Sequence, residues 1–269
     1  MQLYSESENI AYSLSSSTLL QHSDLARGFA ISICAVPQAT LKPQPKPTDP
    51  AAAADDSSAP ALSKVLSPSS SISFSDAEVR KRITAACNAL ISEEATITRY
   101  DEIVGDGDCG YTLRDGAKQV LKFIADKDLS ALPDTLAELV NDLEVNMGGT
   151  SGALYCIFLT SLSSTLASAE SVPIAVYGAM EQLLKYTRAR LGDRTMLDCL
   201  IPFAETLVRS GGDVKEALEE ARKGVESTKE LEAKLGRSTY LDESATRGVP
   251  DPGAYGLLVL LEGLAAVPA

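Results

Sequence analysis

The chain has 269 residues, 45% of them hydrophobic and 23% charged, a composition that suits a soluble globular protein of one large domain or two small ones. A net charge of −13 repels nucleic acid and anionic lipid, and a chain without tryptophan and with 5% aromatics makes a poor base-stacking platform. An acidic protein that handles phosphate needs a cation to bridge the like charges.

Five cysteines, Cys34, Cys87, Cys109, Cys156 and Cys199, are odd in number, scattered and without a CxxC pair. That pattern argues against a disulfide framework or a zinc site and for a reducing compartment. His22 is the only histidine, which excludes a His-rich metal cluster and most Ser-His or Cys-His nucleophile systems. The first basic residue is Arg27, and no apolar run is long enough to span a bilayer. Neither a charged leader nor a membrane span is therefore expected, and a cytoplasmic address is the default.

Residues 1–36 are hydroxyl-rich and weakly patterned, with one strand-like apolar stretch, GFAISICAV. Residues 37–74 are rich in Pro, Ala and Ser and bury too little apolar surface to offset their ordering entropy. They are expected to be a flexible linker, and the N-terminal segment as a whole to be largely disordered. From Ser75 the pattern turns helical. Ser75 or Asp76 is a plausible N-cap, and Val79, Ile83, Ala86, Cys87 and Leu90 share one apolar face. This first helix runs towards Tyr100 and stops at the glycines of VGDGDCG. A second is predicted from Tyr111 to Ala125, a third in PDTLAELVNDLEVN with Pro133 in its first turn, and a fourth in GGTSGALYCIFLTSLSSTLA, apolar nearly all round. The fifth runs from Pro173 to Arg190 and the sixth from Thr195 past Phe203. The seventh spans DVKEALEEARKGVESTKELEAKL, and the last runs from Pro252 to Leu264. Residues 75–269 thus read as an all-α domain of eight helices whose short connections imply antiparallel neighbours.

Glycines and carboxylates concentrate between these helices. DEIVGDGDCG places Asp101, Asp106 and Asp108 on one tight loop, where they repel one another unless a cation sits among them. Without His or Cys ligands that cation is a hard one: magnesium, calcium or manganese. An EF-hand fails, because counting from Asp106 puts Tyr111 at the loop glycine and Ala117 at the bidentate glutamate. The competing reading is a solvated acidic turn. MGGTSG opens the fourth helix with free amides and the hydroxyls of Thr150 and Ser151, an anion site in outline, although an N-cap with small packing residues reads the same way. GDRTMLD precedes the sixth helix, with Asp193 or Thr195 as cap. LGRS and DPGA flank the last connection, where Arg237 offers a fork of donors and Asp251-Pro252 a helix start. In an up-and-down array the odd-numbered connections share one end, and all four of these segments are odd-numbered connections.

At these residues the sequence resembles the nucleotide-binding domain of dihydroxyacetone kinases, the L-subunit type, over about residues 76–268. The likeness rests on DEIVGDGDCG, MGGTSGALY, GDRTMLDCLIP, LGRSTYL and DPGA in order and spacing. It implies an all-α barrel of eight antiparallel helices with nucleotide at one end. It also implies that Asp101, Asp106 and Asp108 hold two magnesium ions against the phosphates of ATP or ADP. Cys109, Gly110, Tyr111 and Thr112, with Thr150 and Ser151, would cradle those phosphates. Thr195 and Met196 would wall the adenine, and Arg237 with Asp251, Pro252 and Gly253 would complete the nucleotide contacts. Thr187 stands where some members have glycine, and Tyr111 where a small or hydroxylated residue is usual.

In this family a separate K domain or subunit holds dihydroxyacetone through a histidine. Residues 1–75 are too short to contain that domain, so a K-type partner is expected to supply the acceptor, and no catalytic residue is assigned in this chain beyond the metal ligands. ARGFAISICAV resembles the last strand of a K domain. The function implied is phosphoryl transfer from ATP to dihydroxyacetone. The alternatives are a non-catalytic nucleotide-binding protein and the same domain serving another acceptor such as a fatty acid. A homodimer is left open.

Overall fold

The computed structural model describes residues 72–235, 237–240 and 246–266. The expected N-terminal segment 1–36 and nearly all of the linker 37–74 lie outside them. The described residues are all-α, with eight α-helices: α1 (Asp76–Val104), α2 (Cys109–Ile124), α3 (Leu132–Asn146), α4 (Gly149–Leu166), α5 (Val172–Leu183), α6 (Leu197–Arg209), α7 (Val214–Ser227) and α8 (Pro252–Ala265). Two 3-10 turns, Leu129–Ala131 and Arg237–Tyr240, lie in the connections. No helix among the described residues is long and apolar enough to cross a membrane.

Local chemistry accounts for most of the boundaries. Ser75 is the N-cap of α1 but makes no side-chain capping bond. Asp76 instead accepts from the Leu129 amide at 2.8 Å and pairs with Arg80, which ties the start of α1 to the turn before α3. Asp213 accepts from the amides of Lys215 and Glu216, and Asp251 from that of Ala254 ahead of Pro252, so α7 and α8 begin on carboxylate caps.

Two helices are shorter than their sequence periodicity predicts. α5 was expected to reach Arg190 but ends at Leu183. There the Arg190 guanidinium folds back onto the carbonyls of Leu184, Thr187 and Ala189, taking acceptors that a continuing helix would use. α7 was expected to reach Leu235 but ends at Ser227. Thr228 is fully buried, its carbonyl accepts from Arg194 and its hydroxyl accepts from the Asp251 amide. Those tertiary bonds outweigh the helical spacing of Glu and Lys that runs on beyond it.

Each helix packs on the next in sequence, and α8 packs on both α7 and α1, so the order of neighbours closes on itself. The interior divides into two apolar clusters. Met180, Leu183, Leu197, Phe203 and Leu257 anchor the one built around α5–α8, while Leu90, Ile97, Leu113, Leu139 and Leu143 anchor the one built around α1–α4. Tyr155, Tyr255 and Leu260 touch both, joining the halves through α4 and α8.

Candidate functional site

The connection between α1 and α2 is only four residues long, 105–108. It turns on Gly107, whose φ of 79° lies in the left-handed region that favours glycine. Asp101 ends up on the last turn of α1 and Asp108 immediately before α2, with carboxylate oxygens of Asp101, Asp106 and Asp108 all within 4.8 Å of one another. Asp101 is 6% exposed. Burial raises its pKa above the usual carboxylate range, the Cys109 amide at 2.9 Å opposes that shift, and the neighbouring Asp106 and Asp108 add to it. Three oxygen donors on a short loop, one of them buried against like charges, fit a hard divalent cation and offer nothing that favours a softer one.

Two helix starts converge beside this cluster. The first-turn amides of α2 and of α4 have no acceptors within their own helices, and that end of each helix dipole is positive. The Ser151 hydroxyl at the start of α4 interacts with the Cys109 thiol at the start of α2. Burial first, and the charge of Asp101 second, push the Cys109 thiol up to about 12, so it stays neutral and is not a nucleophile.

All four odd-numbered connections open onto one cleft of about 330 Å³. It contains twelve of the fifteen residues singled out from sequence: Asp101, Asp106, Asp108, Cys109, Thr112, Thr150, Ser151, Thr195, Met196, Asp251, Pro252 and Gly253. Gly110 and Tyr111 do not line it. Gly110 faces α1, where a Cβ would run into the Thr98 hydroxyl and the Glu94 carbonyl, so glycine here permits close packing of the two helices. Tyr111 is 47% exposed with Arg114 over its ring at 5.1 Å, and its departure from the usual small residue does not narrow the cleft. Arg237 lies in the 3-10 turn next to Ser238, which lines the cleft and donates its hydroxyl to the Val104 carbonyl at the end of α1.

The sixth helix is capped differently from either option read in the sequence. Asp193 accepts from the Arg190 amide and pairs with Lys234 at 2.9 Å. Asp198, inside the first turn of α6, reaches back to the amides of Gly192 and Thr195 at 2.5 and 2.8 Å, while Thr195 accepts from the Leu197 amide. This knot sets Thr195 and Met196 into the cleft wall. Sequence reasoning missed Arg194 beside them, and also Leu154, Tyr155, Ala189 and Leu235, which give the lining an apolar part. Leu154 and Tyr155 stand in MGGTSGALY, Leu235 in LGRS and Arg194 in GDRTMLD, and those motifs were the available signal. Asp251 is lifted to about 6 by burial, against the Ala254 amide bond and the nearby Arg194.

A DAK2 domain matches residues 103–266. The chain is 38% identical over 218 residues to the dihydroxyacetone kinase of Pichia angusta, an alignment covering 74% of this chain and 36% of that one. It is 35% identical over 195 residues to the triokinase/FMN cyclase of Homo sapiens, covering 67% and 33%. The crystal structure of the dihydroxyacetone kinase from C. freundii in complex with AMP-PNP and Mg2+ matches with a TM-score of 0.61 at 27% identity, covering 72% of this chain and 34% of that one. The chain spans about a third of the length of these relatives. By the match over residues 103–266, the chain belongs to the DAK2 domain family.

Proposed function

We propose that residues 75–269 form a barrel that binds ATP or ADP with two magnesium ions and donates a phosphoryl group to dihydroxyacetone held by a separate K-type domain or subunit, giving dihydroxyacetone phosphate. The observation that carries this reading is the meeting, in one cleft, of a three-carboxylate cluster with the starts of α2 and α4. Carboxylates alone would repel a polyphosphate and helix starts alone would leave it uncompensated, so their combination suits a metal-bridged phosphate. The AMP-PNP and Mg2+ of the C. freundii kinase agree with that choice.

Asp101, Asp106 and Asp108 would hold the metal, which when bound neutralises adjacent phosphate charges and orients them for in-line transfer. The chain's own groups do the rest. First-turn amides of α4, those of α2 beyond Cys109, and the hydroxyls of Thr112, Thr150 and Ser151 donate to phosphate oxygens. Met196, Ala189 and Leu235 give the base an apolar wall, with Thr195 and the 251–253 segment beside it. The turn that holds Arg237 is tethered to α1 by Ser238. The described cysteines are all free, in keeping with a reducing cytoplasmic setting.

Among the described residues the cleft offers no group suited to holding a ketose covalently, and on this reading the acceptor comes with a partner at its mouth. Exposed apolar side chains on the helix ends and the connection that frame the cleft, Ile103, Tyr111, Val145, Tyr186 and Leu191, provide a surface for that partner. The test is to mix the purified chain with ATP, magnesium and dihydroxyacetone, with and without a K-type domain of the family. Dihydroxyacetone phosphate should form only in the complete mixture, and its absence from every pairing would refute the proposal.

A further inference from the structure

Arg194 is the one non-glycine residue among those described with a positive φ, 61°. A left-handed arginine is strained by about 1 kcal/mol and persists only where its surroundings over-determine it. Its side chain is 2% exposed, and burial lowers its pKa although Asp251 lies nearby to oppose the shift. Nε donates to the Thr228 carbonyl at 3.0 Å, and Nη2 donates to the carbonyls of Thr246 at 3.3 Å and Val249 at 3.0 Å. Nη1 has no hydrogen-bond partner among the described residues.

The three acceptors do not line the cleft themselves, but Thr228 and Val249 adjoin the 251–253 segment that does. Thr228 ends α7 and accepts from the Asp251 amide through its hydroxyl at 2.9 Å. Val249 lies two residues before Asp251. A side chain at Gly253 would meet the Met196 Cβ at 3.7 Å, so the 251–253 segment is seated directly on the residues that follow Arg194. Residues 246–250 are also tied by the Gly248 amide to the Lys229 carbonyl, by the Val249 amide to the Thr246 carbonyl and by the Arg247–Glu230 ion pair. One buried guanidinium therefore spans the end of α7, the segment before α8 and the start of α6. The carboxylate cluster and the starts of α2 and α4 make none of these bonds.

We infer that Arg194 is a positioning residue that sets the 251–253 segment against Thr195 and Met196, and so governs how the nucleoside part of the ligand is held, separately from its phosphates. The inference rests on the nucleotide reading above. Only a guanidinium has the donors and the fork to reach three carbonyls at once. A lysine keeps the charge and loses the geometry.

The test is calorimetric titration of the full chain with magnesium–ADP and with magnesium–tripolyphosphate, which has no base or ribose. Arg194→Lys and Arg194→Met are expected to weaken ADP about tenfold or more, as the loss of a buried hydrogen-bonded bridge implies. Tripolyphosphate affinity should stay within about twofold of the unsubstituted chain. General loosening of the fold would weaken both ligands alike, so equal losses would overturn the inference, as would unchanged ADP affinity. If the arginine variants do not fold, Thr228→Val cuts the same relay at the Asp251 amide and should give the same split. Failure of the unsubstituted chain to bind tripolyphosphate with magnesium would instead remove the nucleotide reading itself, and this inference with it.

Discussion

The Cys109 amide donates to the Asp101 carboxylate across 2.9 Å, so the side chain that leads the acidic cluster also pins the first turn of α2 to the last turn of α1. Asp101→Asn keeps an acceptor for that amide and removes a buried charge that faces Asp106 and Asp108. In EDTA the unfolding midpoint of this variant is expected to rise by about 2–4 °C, the equivalent of roughly 1 kcal/mol in a domain of this size. Asp101→Ala leaves the amide without its acceptor and is expected to unfold earlier than the unsubstituted chain. Scanning calorimetry distinguishes the two, and a fall for both would mean that the charges do not strain the loop.

Stability should also depend on pH through Asp251, whose carboxyl is lifted to about 6 by burial. A group with a raised folded pKa binds its proton more tightly in the folded state. Its stabilising contribution is complete below about pH 4 and is lost as pH rises through about 6. Asp251→Asn keeps an oxygen to cap α8 and has no such titration. The ligand-free chain should therefore lose stability relative to this variant between about pH 4 and about pH 7 in denaturant titrations. A constant difference across that window would show that Asp251 is not desolvated in solution.

Gly110 carries a packing requirement. A methyl there would lie 2.5 Å from the Glu94 carbonyl and collide with the Thr98 hydroxyl, both on α1. Gly110→Ala is expected to cost about 1–3 kcal/mol in urea unfolding, in the range of overpacked interiors. A neutral result would mean that α1 and α2 separate more easily than their packing implies.

The mouth of the cleft gives a prediction that separates docking from nucleotide binding. Tyr186 is 73% exposed and sits next to Thr187, which lines the cleft. Tyr186→Asp places a charge on the proposed docking surface without touching the lining. It is expected to lower phosphoryl transfer with a K-type partner by about tenfold while leaving ATP affinity unchanged. Loss of ATP affinity would assign Tyr186 to the nucleotide site.

Helix number and order were legible in the sequence because apolar spacing, prolines and glycines agree along residues 76–265. The ends of α5 and α7 were not. The local pattern continues through both, and the chain leaves the helix because Arg190 and Arg194 claim carbonyls that periodicity assigns to the helix. The acid loop was legible because three aspartates among glycines have few structural uses. Arg194 was not, since GDRT reads locally as a cap and nothing in the letters shows a left-handed arginine bonded to residues 34 to 55 positions further along the chain. Gly110 and Tyr111 were read into the site through the resemblance's phosphate-cradling backbone, and the turn of the helix carries their side-chain positions to the α1 face and to solvent.

The central claim is that the cluster at 101, 106 and 108 binds nucleotide through a divalent cation. Calorimetric titration of ATP into the chain with magnesium, repeated with Asp106→Asn and with EDTA, tests it most directly. The account predicts measurable binding to the unsubstituted chain that both treatments abolish, with the helical circular-dichroism signal intact. ATP affinity that survives both would contradict it.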